Sequence, residues 1–338
     1  VDSLTEEKFI ERVEGLIDPE EVGDLGFIQK LKVLLPKALF KRALFRTARK
    51  YPYIGFVIEP YSLFLFFKLK DLDRARSLLP ARYELAPSRI AADEEPGYYH
   101  GMGILNTRGS TFAGVRLESY LIARDRETGL VSWIFIDIFS NTLISLPRDG
   151  VVDRNSRRAL FTTNSRGDVF VDIAEDATGR RLRLRGSLSR GVRKPLDRPL
   201  WLGGNTSIAY TPALAGGIEA PFAVIFDPAE VDTALEIPVA DIDLRENGLM
   251  PGLAEAKPAK VLCFPFAQHY IADSPGRRTY VKDEAHMEEL YRGFASRPGM
   301  KTFATAGIKK LLLAGALLSV AGNIGLALAL IAALGGPK

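Results

Sequence analysis

The ionisable residues with the most scope for chemistry fall in two strand-like stretches, 115–123 and 131–139. Asp137 stands in a run that is apolar on both faces, so its carboxylate is expected to be buried. A buried carboxylate needs a partner or a raised pKa. Arg116 and Arg148 are the candidate partners, and Glu118 is placed to share the same cavity. Such a set can do acid–base work or hold the carboxylate of a small ligand; it can equally be a structural ion pair. The other reactive types offer less. His100, His269 and His286 are far apart, and their spacing makes no metal site. Cys263, six residues before His269, lies in Val-Leu-Cys-Phe-Pro-Phe, a context of core packing more than of nucleophilic catalysis. Gly203-Gly204-Asn205-Thr206-Ser207 reads as a turn without the lysine of a phosphate-binding loop. Tyr98-Tyr99-His100-Gly101 reads as a loop. No cofactor and no metal are expected.

Positioning those residues falls to a β-rich body. Strand-like runs occur at 61–67, 115–123, 131–139, 169–173, 181–188, 222–226 and 259–264. Turn signals such as Glu127-Thr128-Gly129, Ser165-Arg166-Gly167 and Ala177-Thr178-Gly179 separate several of them. Alternating βα units are missing, which argues against a doubly wound fold. The expected class is α+β, with a mainly antiparallel, β-barrel-like domain over 53–294. A helical, basic extension over 1–52 precedes it, a linker over 295–310 follows, and an uncharged run over 311–334 ends the series. Short helices are expected at 70–80 and 284–293. In the extension, Ser3-Leu4-Thr5-Glu6 fits a capping box, and Phe9, Ile10, Val13, Leu16 and Ile17 share one helical face.

Three stretches together resemble the acetoacetate decarboxylase-like superfamily. They are Asp71-Leu72-Asp73-Arg74-Ala75-Arg76-Ser77-Leu78-Leu79-Pro80 with Tyr83-Glu84-Leu85-Ala86-Pro87, then Leu117-Glu118-Ser119-Tyr120-Leu121, then 140–150. The resemblance covers 61–150 well. It implies a closed or nearly closed β-barrel-like sheet around an internal cavity, and an enzyme whose lysine forms a Schiff base with a keto acid. In that family a lysine pair follows a proline. Here Pro147 matches, but Arg148 and Asp149 stand where the lysines belong. A guanidinium stays protonated and cannot form the imine. The departure argues against decarboxylase activity; Lys68 or Lys260 would replace the nucleophile only if the cavity geometry allowed it.

The 311–334 run has 24 residues without a charge, and about 20 apolar helical residues span a bilayer. It is therefore expected to be a single transmembrane helix. Lys309 and Lys310 precede it and only Lys338 follows, which puts the bulk of the chain on the cytoplasmic side. Gly315, Ser319 and Gly322 share one helical face with Asn323 beside them, a small-residue face suited to packing on another helix. Net charge is a mild +4, but residues 25–58 hold no acidic residue. Within them Lys30, Lys32, Lys37, Lys41 and Arg42 are candidates for contact with anionic head groups. No nucleic-acid recognition motif is present. The expected function is a non-catalytic, membrane-anchored accessory subunit of a larger membrane complex, possible settings being respiratory or photosynthetic. Its partners would be membrane lipid and other membrane protein subunits. The alternative is a membrane-associated enzyme or binding protein for a small carbonyl, carboxylate or lipophilic ligand.

Overall fold

The structure, a computed structural model, describes residues 3–19, 53–109, 112–141, 144–146, 150–152, 159–215, 223–273, 281–297, 314, 317 and 319–326. Arg148, Gly315, and the basic positions Lys30, Lys32, Lys37, Lys41 and Arg42 lie outside them. So do most of the residues of the 311–334 run. Its described residues, Ser319, Gly322 and Asn323 included, are helical and exposed. Among the described residues no helix is long and apolar enough to cross a membrane.

The body is mixed α+β and mainly antiparallel. The strands are β1 (Tyr53–Ile58), β2 (Ser62–Lys68), β3 (Tyr83–Leu85), β4 (Tyr99–Gly109), β5 (Phe112–Asp125) and β6 (Val131–Ser140). They continue as β7 (Ile144–Leu146), β8 (Gly150–Val152), β9 (Ala159–Thr163), β10 (Asp168–Ala174), β11 (Arg181–Ser187) and β12 (Val192–Pro195). The last are β13 (Ile208–Tyr210), β14 (Val224–Ile225), β15 (Thr233–Glu236), β16 (Ile242–Asn247), β17 (Lys260–Phe264) and β18 (Gln268–Asp273). The helices are α1 (Ser3–Gly15), α2 (Leu72–Leu78), α3 (Arg198–Thr206), α4 (Pro212–Ala215) and α5 (Glu284–Ala295). Aspartates open three of them. Asp71, Asp197 and Asp283 accept from the backbone N–H of Arg74, Leu200 and His286, satisfying donors that a helix start leaves free.

The 11-residue β4 explains the architecture. One edge pairs with β5 along its length, while the other is shared by β2 and then β1. The 12-stranded sheet therefore forks at β4. One branch runs through β2, β17, β15 and β12, the other through β1, β18 and β14. Among the described residues the ladder is a branched sheet whose pairing does not close into a ring. A second sheet, β16-β11-β10-β9, covers one face of it. Val169, Val171, Ile173, Leu182 and Leu184 there pack on Leu63, Leu65, Met102, Ile104 and Cys263. The alternating burial of β10 and β11 is that of strands with one wet face.

The opposite face is lined by aromatic residues and capped by α3. Trp201 packs edge-on against Phe64, Phe66 and Phe264. Gly204 lets α3 approach β6, since a Cβ there would stand 2.1 Å from the Trp133 Nε1. The supposed turn at 203–207 is thus mainly the last part of a helix, and its glycines serve close packing. Helix α1 lies on β1 and β18 and against α5. It buries Phe9, Val13 and Leu16, each worth about 1.5–3 kcal/mol.

Candidate functional site

Antiparallel partners share a face, and faces alternate along a strand, so the register assigns each side chain. On β5, Arg116, Glu118 and Tyr120 occupy the aromatic face together. Gly103 is opposite Glu118 and Gly101 opposite Tyr120 across the β4–β5 ladder. A Cβ at Gly103 would come within 3.2 Å of the Tyr120 hydroxyl, so these glycines leave room for the ring. Tyr120 then donates its hydroxyl proton to Glu118 Oε2. Glu118 Oε1 stands 2.6 Å from Arg116 Nη2. The carboxylate is therefore held at both oxygens, by a guanidinium and a phenol.

Burial pushes the Tyr120 phenol well above the usual tyrosine range, and the neighbouring Glu118 charge adds to this. The hydroxyl stays protonated and acts as a donor. Tyr270 on β18 is raised in the same way, first by burial and then by the charges of Glu230 and Glu118. It stacks on Phe56 with ring centroids 5.0 Å apart.

Other polar groups reach this face near the same strand ends. Thr107 pairs with Ile58, and Ile58 pairs with Gln268. Ser62 pairs with Phe264 at the start of β2. Thr107 Oγ1, Gln268 Oε1 and Ser62 Oγ are buried with no hydrogen-bond partner among the described residues. β6 also ends there, at Ser140, which pairs with Arg116. Lys260 lies on the aromatic face at the opposite end, paired with Phe66. Its ammonium is bound by Glu94 and lies 3.0 Å from Glu236 Oε1. Burial draws its pKa below the usual lysine value, and the nearby Asp93 charge opposes this. Lys68 is exposed at the end of β2.

Of the residues singled out in the sequence, Arg116 and Glu118 come together. Asp137 does not join them. A bulge leaves Ile136 extra on β6, with Ser119 facing Asp137 and Tyr120 facing Phe135. Past the bulge the parity reverses: Ile138 turns to the aromatic face and Asp137 to the other, half-buried. Asp137 Oδ1 accepts from the Ile138 N–H at 2.9 Å.

That second face holds a pair the sequence reading missed. His100 Nε2 and Ser119 Oγ are 2.6 Å apart, both fully enclosed. They look like a nucleophile and its base, but burial pulls the histidine down to about 3, so it is a very weak base. Only the β4–β5 register brings the two together, and 98–101 had read as loop. Cys263 is inert too, its thiol pushed up to about 12 by burial.

No protein-family model matches the chain, and no curated protein matches it. Among solved structures it is similar to an acetoacetate decarboxylase from Legionella pneumophila. The TM-score is 0.41 and the identity 14%, over 68% of this chain and 87% of that one.

Proposed function

We propose that the chain is a non-catalytic accessory subunit of a larger membrane assembly, tethered through residues 311–334 with its bulk on the cytoplasmic side. The observation that supports the non-catalytic reading is the Arg116–Glu118–Tyr120 chain. Its carboxylate is fully engaged by its own neighbours, and among the described residues no lysine amine stands beside it. Lys260, at the other end of that face, is neutralised by two carboxylates. The tether rests on the uncharged 24-residue run and the lysines before it. Its small face, Gly315, Ser319, Gly322 and Asn323, would meet the helix of another subunit. The segment holding Lys30, Lys32, Lys37, Lys41 and Arg42 would meet anionic lipid.

Purification of the full chain from membranes in mild detergent tests this. The expected result is a fixed set of integral membrane proteins travelling with it. Recovery of the chain alone, released from membranes by carbonate, overturns the reading. Borohydride treatment in the presence of acetoacetate should leave the protein mass unchanged. A stable adduct on Lys260 or another lysine would restore an imine-forming enzyme.

A second reading is favoured by Ser62, Thr107 and Gln268. Burying a polar atom unbonded costs about 1–3 kcal/mol, so three such atoms on the face that carries Arg116 suit a small polar ligand. In that case the domain binds a small carboxylate or carbonyl compound. Acetoacetate and similar small carboxylates would then raise the thermal midpoint of the wild type but not of a Gln268→Leu, Thr107→Val variant. The accessory reading expects no shift in either.

A further inference from the structure

A polar cluster that includes a histidine joins helix α1 to the sheet. The Glu14 carboxylate, at the C-terminal end of α1, receives both Nη groups of Arg108 on β4, each at 2.5 Å. Arg108 Nε donates to Glu59 at 2.6 Å. On the other side of Glu14 stands His269 of β18, its Nε2 at 3.6 Å from Glu14 Oε1. The remaining ring nitrogen, Nδ1, is 3.2 Å from Glu230 Oε1, while the His269 backbone N–H donates to Glu230 Oε2 at 2.9 Å. The imidazole thus sits between two carboxylates, one on α1 and one on the body.

We propose that His269 is a pH-sensitive latch: as the imidazolium it clasps Glu14 and holds α1 on the sheet, and as neutral imidazole it releases that grip. A neutral imidazole carries one N–H and no charge; the charged ring attracts both carboxylates, hydrogen-bonded to Glu230 and at ion-pair distance from Glu14. Two residues along the β1–β18 ladder from the latch, Gly55 permits close docking, because a Cβ there would stand 2.7 Å from the Leu16 Cβ.

The neighbouring groups set the direction of the response. Burial opposes the charge on His269, but the hydrogen bond and charge of Glu230, with the charge of Glu14, raise it above the usual histidine value. Glu14 is lowered, first by the Arg108 hydrogen bonds and against its own partial burial. Glu230 is raised by burial, with the nearby Asp227 adding to this and His269 opposing it. From α5 the facing group is Tyr291, whose phenol burial keeps protonated. From β18 it is Tyr270, likewise protonated. Arg108 stays charged throughout. The histidine contribution is therefore complete below about pH 6.5, the free-histidine value, and is lost as pH rises through the higher docked value. The Glu14 contribution is present above about pH 4.3 and fades only as pH falls through its lower docked value. Docking of α1 is strongest between these limits and weakens on the alkaline side of neutrality.

Hydrogen exchange of the full chain, corrected for intrinsic rates, reads this directly. Between pH 5.5 and pH 8.5 the protection of the α1 amides should fall roughly threefold to fivefold, the scale of one partly exposed ion pair, while β5 keeps its protection. In His269→Gln the α1 protection should be low and flat across that range. Glu14→Gln, at a half-exposed position that leaves the body intact, should flatten the response while retaining a bond to Arg108. A wild-type α1 protection that does not change with pH overturns the latch. So does an unchanged pH response in Glu14→Gln, which would assign the titration to another group.

Discussion

Trp201→Ala is expected to cost about 3–5 kcal/mol, the range for removing a large aromatic side chain from a packed core. The residue is 2% exposed and sits where β2, β17 and β6 face α3. Its ring centroid lies 5.3 Å from those of Phe64 and Phe264, 5.7 Å from Trp133 and 5.9 Å from Phe66. None of these rings can fill the space alone, because each is fixed by a neighbouring strand. The indole also donates from Nε1 to the Ile90 carbonyl at 2.9 Å, tying the β3–β4 connection to α3. Truncation loses contacts and leaves that carbonyl unbonded. Trp201→Phe should keep most of the packing and lose the hydrogen bond, at about 1–2 kcal/mol. Urea titrations of both variants measure the difference. A loss below about 1 kcal/mol for the alanine variant would show that α3 is not a keystone of the core.

What was legible in the sequence follows from which forces act locally. β5, β6, β10, β11 and β17 were visible because each carries an unbroken β-like run between turn residues. At those turns Gly129 and Gly167 adopt φ of 73° and 77°, the left-handed region that glycine enters most readily. The short helix expected over 70–80 is there as α2, opened by Asp71. β4 was hidden because its glycines look like loop residues, when in fact they clear space for Tyr120. The glycines of α3 were hidden for the same kind of reason, since only the tertiary contact with Trp133 explains them. For the site, Arg116 and Glu118 stood in one strand-like run and were expected to share a cavity. Asp137 was expected in the same cavity, and the extra residue at Ile136 turns it to the other face. A bulge is a matter of strand pairing, and one residue of register moves every later side chain to the other face. The His269 cluster draws on α1, β4, β18 and the turn at Pro228–Val231, so no single stretch announced it.

Arg116→Ala should be the most damaging change within the site, at about 3 kcal/mol, for electrostatic and not packing reasons. Arg116 and Glu118 are nearly buried, with side chains 15% and 11% exposed. Removing only the cation strands a carboxylate against an apolar wall of Trp133, Phe135 and Ile138. Tyr120 can still donate to one oxygen, which limits the loss but does not neutralise the charge. Replacing the whole set at once, Arg116→Met with Glu118→Met and Tyr120→Phe, removes both charges and the hydrogen bonds that join the three. Such replacements of buried ion pairs by apolar residues are often neutral or stabilising. The triple variant should therefore denature in urea close to the wild type, far above the single variant. Equal destabilisation of both would mean that shape, not charge, governs this face. The same triple variant separates the two functional readings. An accessory subunit whose polar chain is only structural should still bring its membrane partners through detergent purification. A fold that survives while a carboxylate-induced thermal shift disappears would make Arg116 and Glu118 part of a binding site.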